Sequence, residues 1–153
     1  MGAVFLVEDE ALIRMMIADM VEELGHRVVA EAGSIQAAEL LARTTVFDLG
    51  ILDINIGGFN ISPIAEIIDG RGLPFVFVSG YGAKGRPVLF SNRPVLQKPF
   101  LISKFAEMIN SSLGDSTVIW GVDASASYSP DLQPFRVPNL GQITASPSRF
   151  NTR

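Results

Sequence analysis

Four short apolar runs in this chain each end on a polar or charged residue that an apolar core does not tolerate. Ala3-Val4-Phe5-Leu6-Val7 runs into Glu8-Asp9, Leu49-Gly50-Ile51-Leu52 into Asp53, Pro74-Phe75-Val76-Phe77-Val78 into Ser79, and Val95-Leu96-Gln97 into Lys98-Pro99. Between them lie segments with helical spacing. Strands alternating with helices predict a parallel sheet covered on both faces. In such a sheet the carboxyl ends of the strands share one edge, where ligands bind. Residues as distant in sequence as Glu8 and Lys98 are then expected in one pocket.

The remaining punctuation fills in a doubly wound, five-stranded α/β fold. Residues 10-24 place Leu12, Ile13, Met16, Ile17, Met20, Val21 and Leu24 at helical spacing, and Gly25 is the stop. Arg27 to Glu31 reads as the second strand, and Ser34 as the cap of a second helix running through about Arg43. Asp48 to Leu52 is apolar enough for the central strand. Gly57-Gly58 marks a loop, and Ser62-Pro63 reads as a cap and first-turn proline before Ile64-Ala65-Glu66-Ile67-Ile68. The segment from Gly80 to Arg93 stands where a fourth helix belongs. Its glycines and Pro87 make it a poor helix former, so one short turn or a mobile loop is expected. The last helix is predicted over Phe100 to Leu113, with Leu101, Ile102, Phe105, Met108 and Ile109 facing inward and Gly114 as the stop.

Residues 1-114 therefore form the expected domain. Residues 115-153 carry Pro130, Pro134, Pro138 and Pro147, many serines and no periodicity, which predicts a flexible tail. Against flexibility, Thr117-Val118-Ile119-Trp120-Gly121-Val122 is apolar enough to dock on the domain or on a partner.

Composition narrows the chemistry. With 12 Lys and Arg against 16 Asp and Glu, the chain lacks the basic clusters that nucleic acid calls for. It has no cysteine, which excludes disulfides, thiol catalysis and thiolate zinc sites and suits a cytoplasmic setting. No apolar run approaches the roughly 18 residues of a membrane span, and the N-terminus has no basic signal-peptide region.

Carboxylates crowded at one sheet edge repel one another and stay ionised when a divalent cation sits among them. Glu8, Asp9 and Asp53, with the backbone carbonyl of Asn55, are an oxygen donor set of the kind magnesium takes. A phosphoryl group in transfer spreads charge over three oxygens, and its catalysis is mostly positioning and neutralisation. A metal, the Lys98 ammonium and the Ser79 hydroxyl supply three such contacts, and Asp53 is the attacking carboxylate. Acids after strands also serve as helix caps. That would account for Asp9 alone, not for five such positions together.

Two other features carry less. Gly80-Tyr81-Gly82-Ala83-Lys84-Gly85 fits the spacing of a dinucleotide loop, but Arg86-Pro87 stands where a helix must open, and the next strand ends at Lys98 rather than at an acid. His26, at a helix-strand joint, reads as a solvated turn residue.

The five strand-end positions together resemble the response-regulator receiver domains. Val7-Glu8-Asp9-Glu10, Leu52-Asp53, Ser79 and Lys98-Pro99-Phe100 match that family's motif one by one over residues 1-114. The resemblance implies a five-stranded sheet of flavodoxin-like order 2-1-3-4-5, magnesium at Glu8, Asp9 and Asp53, phosphorylation of Asp53 by a histidine kinase, and a cis bond before Pro99. A narrower likeness lies in Pro74-Phe75-Val76-Phe77-Val78-Ser79-Gly80-Tyr81, which is similar to the Pro-Phe-x-Phe-Ala-Thr-Gly run of the FATGUY group of stand-alone bacterial receivers. Val78 and Ser79 replace Ala and Thr. That group implies a kinase of the HWE or a related type. The family's switch aromatic is missing: Val95 occupies its place.

The expected function is thus a single-domain response regulator, a phosphoacceptor rather than an enzyme, signalling by protein contact as a monomer or weak dimer. The expected partner surface is Gly80, Tyr81, Phe90, Val95 and Pro99, on the segment replacing the fourth helix and the strand beside it. Rival readings are a phosphate sink or relay intermediate, an adaptor indifferent to phosphorylation, and a small aspartyl-phosphate hydrolase. The intact Asp53, Ser79 and Lys98 disfavour the adaptor. Asn55, where a hydrolase would carry a second acid, disfavours the last.

Overall fold

Leu49–Asp53 is buried along its whole length and forms the central strand of a five-stranded parallel sheet. The computed structural model describes residues 1–113. The tail with its Thr117-to-Val122 segment lies outside the described residues, as do Gly114 and the domain boundary placed there.

In chain order the elements are β1 (Ala3–Val7), α1 (Ala11–Glu23), β2 (Arg27–Ala32), α2 (Ile35–Thr44), β3 (Leu49–Asp53), β4 (Asn55–Ile56), β5 (Phe59–Asn60), α3 (Ser62–Gly70), β6 (Phe75–Ser79), a 3-10 turn (Val88–Phe90), β7 (Val95–Gln97) and α4 (Ile102–Leu113). The sheet runs β2-β1-β3-β6-β7 with every pairing parallel. This is the predicted 2-1-3-4-5 order, its fourth and fifth strands being β6 and β7. The intervening β4 and β5 form a separate two-stranded antiparallel ribbon. Gly57 and Gly58, with φ of 58° and 89°, make its two-residue turn, a backbone that favours glycine. The sequence reading took this ribbon for a loop.

Alternation along the strands divides the core. Val4, Leu6, Leu49, Ile51, Val76 and Val78 meet Ile17 and Val21 of α1 and Phe105 and Ile109 of α4. Phe5, Val7, Leu52, Phe75 and Phe77 turn to the other face, against Ala38 and Ala42 of α2 and Ile64, Ala65 and Ile68 of α3. A Cβ on Gly50 would lie 3.2 Å from Ile68 Cδ1 and 3.3 Å from Phe75 Cβ, so β3 admits α3 closely only because glycine stands there.

Three local expectations need correction. Ser62 does not cap α3. The flanking residue is Ile61, without a side-chain cap, and the Asn60 carboxamide oxygen accepts from both the Ser62 N–H (2.9 Å) and its hydroxyl (2.6 Å). Leu101 is not on the inner face. Its carbonyl accepts from Phe105 N–H at 3.1 Å, so it precedes the helix and its side chain is 70% exposed. On α1, Leu12, Met15 and Met16 are exposed, and only Ile17 and Val21 are fully covered. Ser34 does cap α2, accepting from Ala37 N–H at 3.2 Å. Among the described residues, no helix is long and apolar enough to cross a membrane.

The Gly80-to-Arg93 segment is not one short turn but a run of turns ending in the 3-10 turn, and it is anchored. Phe90 is buried and meets Phe75 edge-on at 5.1 Å. Arg93 lies 4.2 Å above Phe75 and pairs with Asp69 at 2.7 Å. Arg86 donates to the Arg93 carbonyl, and Asn60 Nδ2 donates to the Gly85 carbonyl, both at 2.8 Å.

Candidate functional site

The buried polar and charged side chains among the described residues are Glu8, Asp53 and Ser79, and each stands at the carboxyl end of a sheet strand. Burying such groups is costly unless they are paired. Lys98, following β7, supplies the pairing. Its Nζ lies 2.9 Å from Glu8 Oε1 and 3.2 Å from Asp53 Oδ2. The register that produces this is direct: Asp53 lies opposite Val78, and Lys98 N–H donates to the Ser79 carbonyl at 2.8 Å. All four predicted strand ends therefore meet.

Asp9 completes an acidic triad. One oxygen each from Glu8, Asp9 and Asp53 lie within 4.8 Å of one another. Asp9 does not cap α1: the flanking residue there is Glu10, and no side chain caps the helix. Instead Asp9 Oδ2 accepts from Gly57 N–H at 2.9 Å, at the tip of the β4–β5 ribbon. Glu8 Oε2 accepts from Glu10 N–H at 3.1 Å, and Asp53 Oδ1 from Asn55 N–H at 3.3 Å. Ser79 Oγ accepts from Tyr81 N–H at 3.0 Å, which leaves its proton available to an incoming acceptor.

Electrostatics follow from burial. Removal from water pushes the Glu8 carboxyl up to about 7; the hydrogen bonds from Lys98 and the Glu10 N–H oppose this, and the nearby Asp53 charge adds to it. Burial alone would lower Lys98, but the hydrogen bond to Glu8 and the charges of Asp53 and Glu8 outweigh it and hold the ammonium above its ordinary value. Burial likewise opposes ionisation of Asp9, and the hydrogen bonds led by the Gly57 N–H overcome it and lower that carboxyl.

Asp9, Asp53, Ser79 and Lys98 open into a cleft of about 550 Å³ that also exposes Asn55, Gly80, Tyr81 and Pro99. A cleft of about 660 Å³ between α2 and α3, lined by residues such as Glu39, Arg43, Glu66 and Arg71, brings no buried acid set together.

The model of the response regulator receiver domain matches residues 4–110. The chain belongs to the response-regulator receiver family. The receiver is 34% identical over 131 residues to the transcriptional regulatory protein PdtaR of Mycobacterium tuberculosis, covering 81% of this chain. It spans 64% of the length of that curated relative. Among solved structures it resembles SdrG from Sphingomonas melonis Fr1, at 35% identity and TM-score 0.66 over 74% of this chain and 96% of that one. The BeF3-activated conformation of SdrG aligns with TM-score 0.63 over 73% and 96% of the two chains. The receiver domain of PhyR from Erythrobacter litoralis aligns at 28% identity and TM-score 0.63, covering 73% and 89%.

The receiver's donor set is all oxygen and anionic, and so fits a hard cation such as magnesium. Asn55, at the start of β4, lines the same cleft as Asp9 and Asp53. The Lys98-Pro99 peptide is cis.

The expected partner surface is corrected at Phe90. The ring is 5% exposed and belongs to the core, because it packs edge-on against Phe75 of β6. The exposed apolar groups of that segment are Tyr81, Val88 and Leu89. Val95 is half-buried opposite Phe77, while Gly80 and Pro99 are exposed. His26 is not a solvated turn residue either. Its Nδ1 accepts from Gly2 N–H at 2.9 Å, and burial, with the nearby N-terminal charge, holds its pKa below the ordinary value.

Sequence reasoning missed Gly57 as the donor to Asp9. The Gly-Gly turn between two extended pairs was the available signal.

Proposed function

We propose that this receiver accepts a phosphoryl group on Asp53 from a histidine kinase and passes the signal on by protein contact. The observation that carries this reading is the shared Lys98 ammonium, 3.2 Å from Asp53 and 2.9 Å from Glu8 inside an otherwise acidic cleft. Asp53 Oδ forms the new O–P bond as the P–N bond to the donor imidazole breaks, and the electron pair leaves with the ring nitrogen. Lys98 meets the charge arriving on one phosphoryl oxygen, and the Ser79 hydroxyl donates to another. Magnesium held by Glu8, Asp9 and Asp53, with the Asn55 carbonyl, would supply further charge neutralisation there. The BeF3-activated conformation of its 35% identical relative SdrG supports an acceptor role.

A protein donor is favoured over a small molecule because exposed apolar side chains flank the cleft. Met16 lines it and is 46% exposed, with Leu12 and Met15 beside it on α1 and Leu101 just after Pro99-Phe100. The likeness of the Pro74-to-Tyr81 run to the FATGUY group supports a kinase of the HWE or a related type. Output runs through Gly80, Tyr81, Val88, Leu89 and Pro99. The test is phosphotransfer profiling against purified histidine kinases, with Asp53→Asn as control. One kinase labelling the wild type quickly and Asp53→Asn not at all is the expected result. Equal labelling of both proteins overturns the acceptor assignment, and a label lost within seconds with no partner captured would favour a phosphate sink.

A further inference from the structure

Arg14 reaches back from the first turn of α1 to the strand end that carries the acid pair. Its Nη1 donates to the Glu8 carbonyl at 2.6 Å, and its Nε lies 3.4 Å from Glu31 Oε1 near the end of β2. Its backbone N–H closes the first turn on the Glu10 carbonyl at 2.9 Å. The fork lies in room that Gly33 leaves open: a Cβ on Gly33 would stand 2.8 Å from Arg14 Nη1. The flanking residue of α1, Glu10, makes no side-chain cap bond.

We infer that Arg14 is a positioning residue for the metal site, placing the Asp9 carboxylate through the Glu8–Asp9 peptide. That peptide is a rigid plane, so a donor holding the Glu8 carbonyl also places the amide and the Cα of Asp9, the point from which its side chain starts. Glu8 needs no such help, being buried and held by Lys98 and the Glu10 N–H. Asp9 is exposed and is held at its carboxylate by the Gly57 N–H at the ribbon tip. The point from which it starts therefore matters most. A lysine keeps the charge at position 14 but has no planar fork to serve Glu8 and Glu31 together. This inference rests on the metal reading of the triad.

The test compares wild type with Arg14→Lys, Arg14→Gln, Gly33→Ala and Glu31→Gln. Each is titrated with magnesium chloride at fixed ionic strength and followed by the amide shifts of residues 8–10 and 53. Both Arg14 variants and Gly33→Ala, whose methyl displaces the fork, are expected to weaken magnesium binding about tenfold, as supporting contacts of metal ligands do. Glu31→Gln keeps the Glu8 bond and should bind like wild type. A merely structural role would lower the denaturation midpoint without magnesium and leave the dissociation constant unchanged. Wild-type affinity in Arg14→Lys overturns the inference. So does tighter binding in Arg14→Gln, which simple charge repulsion would give. Wild type with no magnesium-dependent shifts at Glu8, Asp9 and Asp53 overturns the metal reading and this inference together. Phosphate uptake lost in Asp53→Asn, measured separately, keeps the acceptor reading distinguishable.

Discussion

Phe90→Ala tests whether the segment replacing the fourth helix is core or surface. The ring is 5% exposed, meets Phe75 at 5.1 Å and 83°, and lies 5.8 Å from the Arg93 guanidinium. Core Phe→Ala substitutions cost roughly 3–5 kcal/mol through lost burial and the cavity left behind. Phe90 sits on a three-residue turn that can settle partly into the space, which argues for the lower end, about 3 kcal/mol. The edge-on pair with Phe75 makes up about 1 kcal/mol of that. Val88→Ala is the internal control. Val88 is two residues away and 88% exposed, so its removal should change stability by less than about 0.5 kcal/mol. Urea unfolding followed by far-UV circular dichroism reads both, with the slope m unchanged from wild type. A Phe90→Ala loss below about 1 kcal/mol, or one equal to that of Val88→Ala, would refute the packing argument. It would also return Phe90 to the candidate partner surface.

Asp53→Asn should abolish stable phosphate uptake from a small phosphodonor with magnesium, read by intact mass. Retention of the added mass would mean another residue is modified. Asp9→Ala removes one ligand of the triad and should weaken magnesium by about tenfold or more in a calorimetric titration; equal affinity would exclude Asp9 from the metal site. Lys98→Ala leaves the Glu8 and Asp53 carboxylates facing each other without a cation and should slow phosphate uptake while magnesium still binds; an unchanged rate would remove Lys98 from the transfer step. His26 supplies a pH test. Its folded pKa is lowered, so the unfolded chain binds more protons, and its contribution is intact above the unfolded value of 6.5 and is lost as pH falls below it. The stability difference between wild type and His26→Gln should therefore shrink between pH 7 and 5, and a constant difference would contradict the burial of the neutral ring.

The sequence by itself determined the parallel sheet and which strand ends meet, and the family resemblance added the strand order. Strand runs such as Leu49–Leu52 are too apolar to lie anywhere but between two helical layers, and a parallel sheet brings every strand's carboxyl end to one edge. Glu8, Asp53, Ser79 and Lys98 met there because their positions depend on strand direction and not on side-chain detail. What only the tertiary structure decided depends on contacts between segments distant in the chain. Phe90 looked like a surface residue beside glycines and a proline, and became core because its ring meets Phe75 of β6 edge-on, a partner 15 positions away in the chain. Leu101 matched the helical period of α4 but fell outside its first turn, since hydrophobic spacing does not mark which carbonyl takes the first helical bond. His26 and Arg14 gained their roles from Gly2 and from Glu8, Glu31 and Gly33. A local pattern carries the period of an element, and it carries no information about which remote carbonyl or amide will lie within reach of a side chain once the layers pack.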